Sequence, residues 1–322
     1  MALRRESRQI PQVRCVFFGT PAIAVPALEA LTQIGEVVAA VSQPDRPGGR
    51  GLKPQVPAVK SWAVANGLHV IQPDGLRNGA VSRWITQQSV DICVVLAYGR
   101  ILPPDLLCAP RLGCVNLHAS LLPRHRGAAP IPWSIMLGDV ETGVSLMQMD
   151  EGLDTGPVLV QHKFTIDPRE TTGTLTDRIS QLCAEVVREY VPRFVTMADF
   201  KGTHQDGDLA TWAPPIRAQD RRLNFDDNAV ALDARVRALT PSPGAITSCK
   251  GRLLRILESR PLADDSGAPA GTVTISENRR ILVATRAGSL ELVRGQIEGK
   301  KPLLARDLIN GRALCNNDLL GE

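Results

Sequence analysis

No apolar run in this 322-residue chain reaches the roughly 18 residues a membrane helix needs, so a membrane-spanning helix is excluded. The opening "MALRRESRQI" (1–10) is basic but too short and too polar for a secretory signal, and reads as a flexible extension. CxxC pairs are missing as well. The seven cysteines are odd in number and scattered, and Cys15, Cys93 and Cys114 sit inside apolar runs. That argues against a disulfide framework or a zinc site and for buried thiols in a reducing cytoplasm. Charge of one sign is scarce: the whole excess of +4 falls in residues 210–322, while 1–209 are neutral. Four charges are only a hint of nucleic-acid binding, too few to assign it on charge alone. Internal repeats and low-complexity tracts are also lacking. What remains is an ordinary globular composition, 43% apolar, with length for two domains.

The first half alternates two patterns. Short runs rich in Val, Ile and Cys, "VRCVFFG" (13–19), "EVVAAVS" (36–42), "LHVIQ" (68–72), "DICVVLAYG" (91–99) and "GCVNLHA" (113–119), read as strands. Helical segments lie between them; one is expected to start after Thr20-Pro21, as N-cap and first-turn residue, and to end near Gly35. Continuous apolar strands separated by helices indicate a doubly wound, mostly parallel α/β sheet of the Rossmann-like kind. Such sheets bind ligands beyond the carboxyl ends of their strands. A helical stripe over 173–194 closes this part. After a polar, proline-containing stretch, short alternating runs beyond Pro243-Gly244 predict a small antiparallel β-barrel. The expected division is an extension (1–10), a catalytic domain (11–208), a linker (209–228) and the barrel (229–322).

Nucleotide motifs are incomplete. "FFGTPAIA" has one glycine where a dinucleotide loop needs GxGxxG, and "RPGGRGLKP" (46–54) lacks the GK[ST] of a P-loop. The latter is either a mobile surface loop or a basic flap that orders on a polyanion. A metal site at Cys114, His118 and His125 fails on distance: the first two are four residues apart on a strand, about 13 Å.

"NLHASLLPRHRG" (116–127) ends a buried strand with Asn116 and His118, two residues apart and so on one face. A lone histidine there is ordinarily structural. The following "SLLP" turn places two leucines in a loop, which suggests an apolar cleft. "MDEGLDTGPVL" (149–159) adds Asp150, Glu151 and Asp154 between glycines, either a solvated turn or a way to bring a carboxylate to the imidazole. Asn, His and Asp together suit attack on a carbonyl: a base near neutral pH, a carboxylate behind it, and an amide donor for the oxyanion. With no nucleophile elbow present, a substrate amine or water would attack directly.

These segments resemble the 10-formyltetrahydrofolate-dependent formyltransferases. Asn116-x-His118, "SLLPRHRGAAPI" and "QMDEGLDTGPVL" are similar to that family's signature, and "FFGTP", "SQPDRPGGRG" and "VVLAYGRILP" are most similar to its members that act on methionyl initiator tRNA. The resemblance spans nearly the whole chain. It implies catalytic roles for Asn116, His118 and Asp154, and folate contacts at Ser120, Leu121, Leu122, Pro123 and Gly152. It also implies tRNA contacts at Arg46, Arg50 and Lys53, a tRNA-binding OB-like barrel, no metal, and a cytoplasmic monomer with no membrane partner. The chain departs from the family at 212–225, at "TPSPGA" (240–245), and at His125, Pro132 and Trp133, all outside the catalytic set. Three other readings share features of the site: a folate hydrolase, a formyltransferase acting on a sugar or ribonucleotide amine, and a silent tRNA-binding protein.

Overall fold

A computed structural model describes residues 13–48, 53–197, 199–264 and 267–321. The chain divides into two compact units that interleave along the sequence. The first holds residues up to Arg126, then Gly143–Lys163 and Asp177–Trp212; the second holds Gly127–Thr142, Phe164–Thr176 and everything from Ala213. The expected 1–10 extension lies outside the described residues.

In chain order the elements of the first half are β1 (Val13–Gly19), α1 (Val25–Ile34), β2 (Gly35–Val41), β3 (Arg46–Gly48), β4 (Lys53–Gln55), α2 (Ala58–Ala65), β5 (Val70–Ile71), α3 (Ala80–Gln87) and β6 (Ile92–Leu96). Then come α4 (Pro104–Leu107), β7 (Cys114–His118), α5 (Pro130–Met136), β8 (Glu141–Gln148), β9 (Val158–Thr165) and α6 (Thr172–Thr196). Seven strands form one sheet in the order β5-β2-β1-β6-β7-β8-β9. The five from β5 to β7 run parallel and β8 runs antiparallel to β7. Every residue of β6 is buried, as a strand covered on both faces requires. Because β1 pairs with β2 on one side and β6 on the other, the strand order reverses there, and ligand chemistry belongs at the carboxyl ends nearby.

One local reading changes. The helix after β1 is not capped by Thr20. Its hydroxyl donates to the Tyr98 carbonyl at 2.9 Å, a 3-10 turn over Ala22–Ala24 intervenes, and α1 starts at Val25 with Pro26 in its first turn. A tertiary partner outbid the local cap. The helix does stop at Gly35, which opens β2 opposite Val13, where a side chain would press on the Val13 carbonyl. The Gly-rich basic segment begins and ends in a short antiparallel hairpin, β3 with β4. Arg50 lies outside the described residues.

The second unit contains α7 (Ala229–Ala238), β10 (Ala245–Cys249), β11 (Arg252–Leu262), β12 (Val273–Ile275), β13 (Ile281–Ala284), β14 (Ser289–Ile297), β15 (Leu303–Leu304) and α8 (Ala305–Asn310). Asn228 caps α7, its side chain accepting from the Ala231 amide at 2.9 Å. The β10–β11 turn uses Lys250 and Gly251, both at positive φ as a tight hairpin demands. The antiparallel sheet runs β10-β11-β14-β13-β12, with β15 added to β14. Its two outer strands are joined by the chain end: Gly321 donates to Ser248 at 3.0 Å, Leu320 to Gly271 at 2.9 Å, and Asn317 to Val273 at 2.9 Å. This is how a small antiparallel sheet disposes of its edges. Leu232, Val236, Leu254, Ile256, Val283, Leu290 and Leu308 fill its core. Asp233 of α7 is buried and takes Arg169 at 3.1 Å, Arg237 at 2.8 Å and the Ser259 hydroxyl at 2.8 Å, which ties residues 164–176 to α7 and β11.

Candidate active site

His118 ends β7 and is 5% exposed. Its Nε2 lies 2.8 Å from the His125 carbonyl oxygen. A carbonyl only accepts, so Nε2 carries the proton and Nδ1 is the basic nitrogen of the neutral ring. Nδ1 faces the Asp154 carboxylate, 3.6 Å from Oδ1. That is an ion-pair distance rather than a hydrogen bond. The ring's orientation is therefore set by the backbone of its own loop, with the carboxylate facing its other nitrogen. Asn116, on the same face of β7, is half-buried, and its carboxamide makes no hydrogen bond to any described residue. The amide is thus available to a ligand.

Asp154 reaches the histidine from a loop that few sequences tolerate. The Asp150 carboxylate accepts from the Gly152 amide at 3.1 Å and the Thr155 hydroxyl at 2.7 Å, closing a tight turn. A side chain at Gly152 would collide with Thr155, and one at Gly156 with the Gln148 carbonyl. Asp154 itself sits at φ +55°, the left-handed region.

The "SLLP" turn is bound more tightly than a cleft lining needs. Ser120 is fully buried and its hydroxyl donates to the Arg124 carbonyl at 2.6 Å. Ser145 of β8 donates to the Ser120 carbonyl at 2.7 Å and accepts from the Leu122 amide at 3.1 Å. Gln161 of β9 donates to the Leu122 carbonyl at 2.8 Å and to Ser145 at 2.9 Å. Leu122 is 5% exposed and belongs to the core, whereas Leu121 and Pro123 are half-buried. Ser145 and Gln161 carry no motif. Their role arises from strands paired 23 to 39 residues away, which no local pattern reveals. Arg46 donates to the Gln43 side chain at 3.3 Å. Lys53 opens β4. The structure brings His118, Asp154 and the Asn116 face of β7 together, and Gly152 shares the Asp154 loop.

Burial, reinforced by Asp91 and Glu36, pushes the Cys15 thiol up to about 12, and burial also raises Cys93, Cys183 and Cys249, which makes these four poor nucleophiles. Among the described residues no cluster of His, Cys, Asp or Glu is arranged to hold a metal, and no helix is long and apolar enough to cross a membrane.

Comparison with known proteins places the chain in a family. The sequence model described as "Formyl transferase" matches residues 13–191, and that described as "Formyl transferase, C-terminal domain" matches 215–313. A methionyl-tRNA formyltransferase of Sorangium cellulosum (strain So ce56) is 46% identical over 312 residues, 96% of this chain and 100% of that one. Its counterpart in Myxococcus xanthus (strain DK1622) is 48% identical over 302 residues, 94% of this chain and 96% of that one. Among solved structures, an N-formyltransferase from Helicobacter canadensis in complex with folinic acid and dTDP-3-aminofucose has the same fold, with a TM-score of 0.67 at 18% identity over 87% of this chain and 98% of that one. With both domains matched in order and full-length relatives near half identity, the chain belongs to the formyl transferase family, and within it to the methionyl-tRNA formyltransferases.

Proposed function

We propose that this protein moves the formyl group of 10-formyltetrahydrofolate to the free α-amine of methionyl initiator tRNA, by direct attack of the amine on the formyl carbon. The observation that carries this reading is the buried His118, anchored through Nε2 and facing Asp154 through Nδ1, beside an Asn116 carboxamide with no protein partner among the described residues. The folate supplies an activated formyl carbon on N10. Asn116 donates to the formyl oxygen as it gains negative charge. His118, with Nε2 committed to the His125 carbonyl, takes the amine's proton on Nδ1 and returns it to N10 as the bond from the formyl carbon to N10 breaks and tetrahydrofolate leaves, and Asp154 stabilises the imidazolium formed in between. The raised pKa values of the buried thiols fit a path with no enzyme-bound acyl group.

In this reading Leu121 and Pro123 present the apolar wall for the folate rings, and Ser120, Leu122 and Gly152 hold the backbone around it. Arg46, Arg50 and Lys53, on and between the two strands of the β3–β4 hairpin, meet the tRNA phosphates. The +4 excess in 210–322 gives the C-terminal domain its share of that contact. We take the catalytic domain as 11–208, the linker as 209–228 and the tRNA-binding barrel as 229–322; the matches at 13–191 and 215–313 support a catalytic part followed by a C-terminal domain. All seven cysteines are free, in keeping with a cytoplasmic place, and we take the active species to be a monomer.

The test is an acceptor comparison. Labelled 10-formyltetrahydrofolate is offered with charged initiator tRNA, free methionine, a nucleotide-linked amino sugar and water in parallel. The reading expects transfer to the charged tRNA far above the rest. Preferential label on the amino sugar, or release as formate at the same rate with and without tRNA, would overturn it.

A further inference from the structure

The hydrogen-bonding of Gln205 bears directly on the Asp154 carboxylate. Its Nε2 donates to the Asp154 carbonyl at 2.9 Å and to the Gly156 carbonyl at 2.8 Å. Its Oε1 accepts from Arg126 Nε at 3.1 Å and Nη2 at 2.8 Å. The orientation of the amide is unambiguous, because carbonyls cannot donate and a guanidinium cannot accept. Both amide protons and both oxygen lone pairs are used. Arg126 is a buried cation, 7% exposed, in the same loop that supplies the His125 carbonyl to His118, and its own amide donates to the Thr211 carbonyl at 2.8 Å.

The two carbonyls that Gln205 grips flank Thr155 and bracket the C-terminal side of Asp154. On the N-terminal side, Asp150 closes the turn. Asp154 holds a left-handed conformation that a non-glycine residue keeps only when its surroundings over-determine it. We propose that Gln205 is a positioning residue for the reaction. Through it, Arg126 of the catalytic loop sets the backbone from which Asp154 is presented to His118. Neither residue needs to touch substrate. This rests on the role given to Asp154 above.

The informative substitution is Gln205→Glu. It is nearly isosteric and keeps an acceptor for Arg126, yet it removes both protons given to the Asp154 and Gly156 carbonyls. The full-length enzyme is compared with Gln205→Glu, Gln205→Met and Asp154→Asn. Gln205→Glu is expected to lower kcat by about 10–100-fold, the scale of a misplaced catalytic group, with KM for 10-formyltetrahydrofolate within twofold. Its Tm should stay within about 3 °C of wild type. The 15N resonance of His118 Nδ1 should move, because the facing carboxylate has shifted. Gln205→Met, which has no donor and no net charge, repeats the loss should the glutamate variant fold poorly. Wild-type kcat in either folded variant overturns the proposal. So does a loss in kcat that only follows a lower folded fraction, with the His118 resonance unmoved. If Asp154→Asn alone retains full kcat, the assignment of Asp154 is what fails, and the role of Gln205 fails with it.

Discussion

Asn116 and His118 differ by two positions, and on a strand that interval puts both side chains on one face. This much was legible from sequence. The acidic loop was legible as a source of carboxylate, and the structure brings Asp154 to the imidazole. What sets the histidine was hidden. The acceptor for Nε2 is a backbone carbonyl, which every residue carries and no residue type advertises. Gln205 was hidden for a related reason: its partners lie 49 to 79 residues away, and a glutamine in a polar stretch carries no signal by itself. At this scale the decisive change is Asn116→Ala. Removing one oxyanion donor should lower kcat by roughly 10²–10³, with KM for both substrates little altered. Steady-state kinetics on the purified variant checks this, and near-normal turnover would remove Asn116 from the chemistry.

Among the elements, strands read well and loop burial read poorly. The run at 13–19 became β1 residue for residue, because a strand buried on both faces is written as unbroken apolar sequence. The "SLLP" turn read as one cleft surface, yet Leu122 packs into the core while Leu121 does not. The reason lies in β8 and β9, whose Ser145 and Gln161 satisfy the loop's backbone and let it sink. Leu122→Asp should therefore destabilise the protein by about 3 kcal/mol or more, as an unpaired charge in the core does. Denaturant unfolding measures it, and a folded variant of normal stability would return Leu122 to the cleft. In the C-terminal sheet, Arg280 grips Glu291 through two 2.8 Å bonds and holds its carboxyl below the usual glutamate range, against the opposing effect of burial. A depressed folded pKa stabilises above the unfolded value of about 4.3 and ceases to as pH falls through the folded one. The stability gap between wild type and Glu291→Gln should thus be full at pH 7 and close in that acid window. A gap independent of pH would assign it to packing.

For the molecule as a whole, composition and pattern sufficed to expect a parallel sheet followed by an antiparallel one. They did not show that the two compact units would exchange segments, with 127–142 and 164–176 joining the second. Burial of Asp233 against Arg169 and Arg237 helps explain the latter segment, and such a polar cluster is invisible until the chain folds. On the proposed division of labour, the basic hairpin and the C-terminal domain recognise a polyanion. Transfer to charged tRNA should then weaken steeply with salt through KM, and Arg50→Ala should raise that KM and flatten the salt slope. Salt-independent kinetics would point instead to a small amine acceptor.

The central claim is transfer straight from folate to the tRNA-borne amine at the Asn116, His118 and Asp154 site. A single-turnover experiment with enzyme in excess over formyl-labelled 10-formyltetrahydrofolate, quenched in acid with and without methionyl initiator tRNA, tests it most directly. The account predicts that label stays on the folate until tRNA is added, then appears on the methionyl α-amine with none on protein. Label fixed to the enzyme before tRNA arrives, or label that never reaches the tRNA, would contradict it.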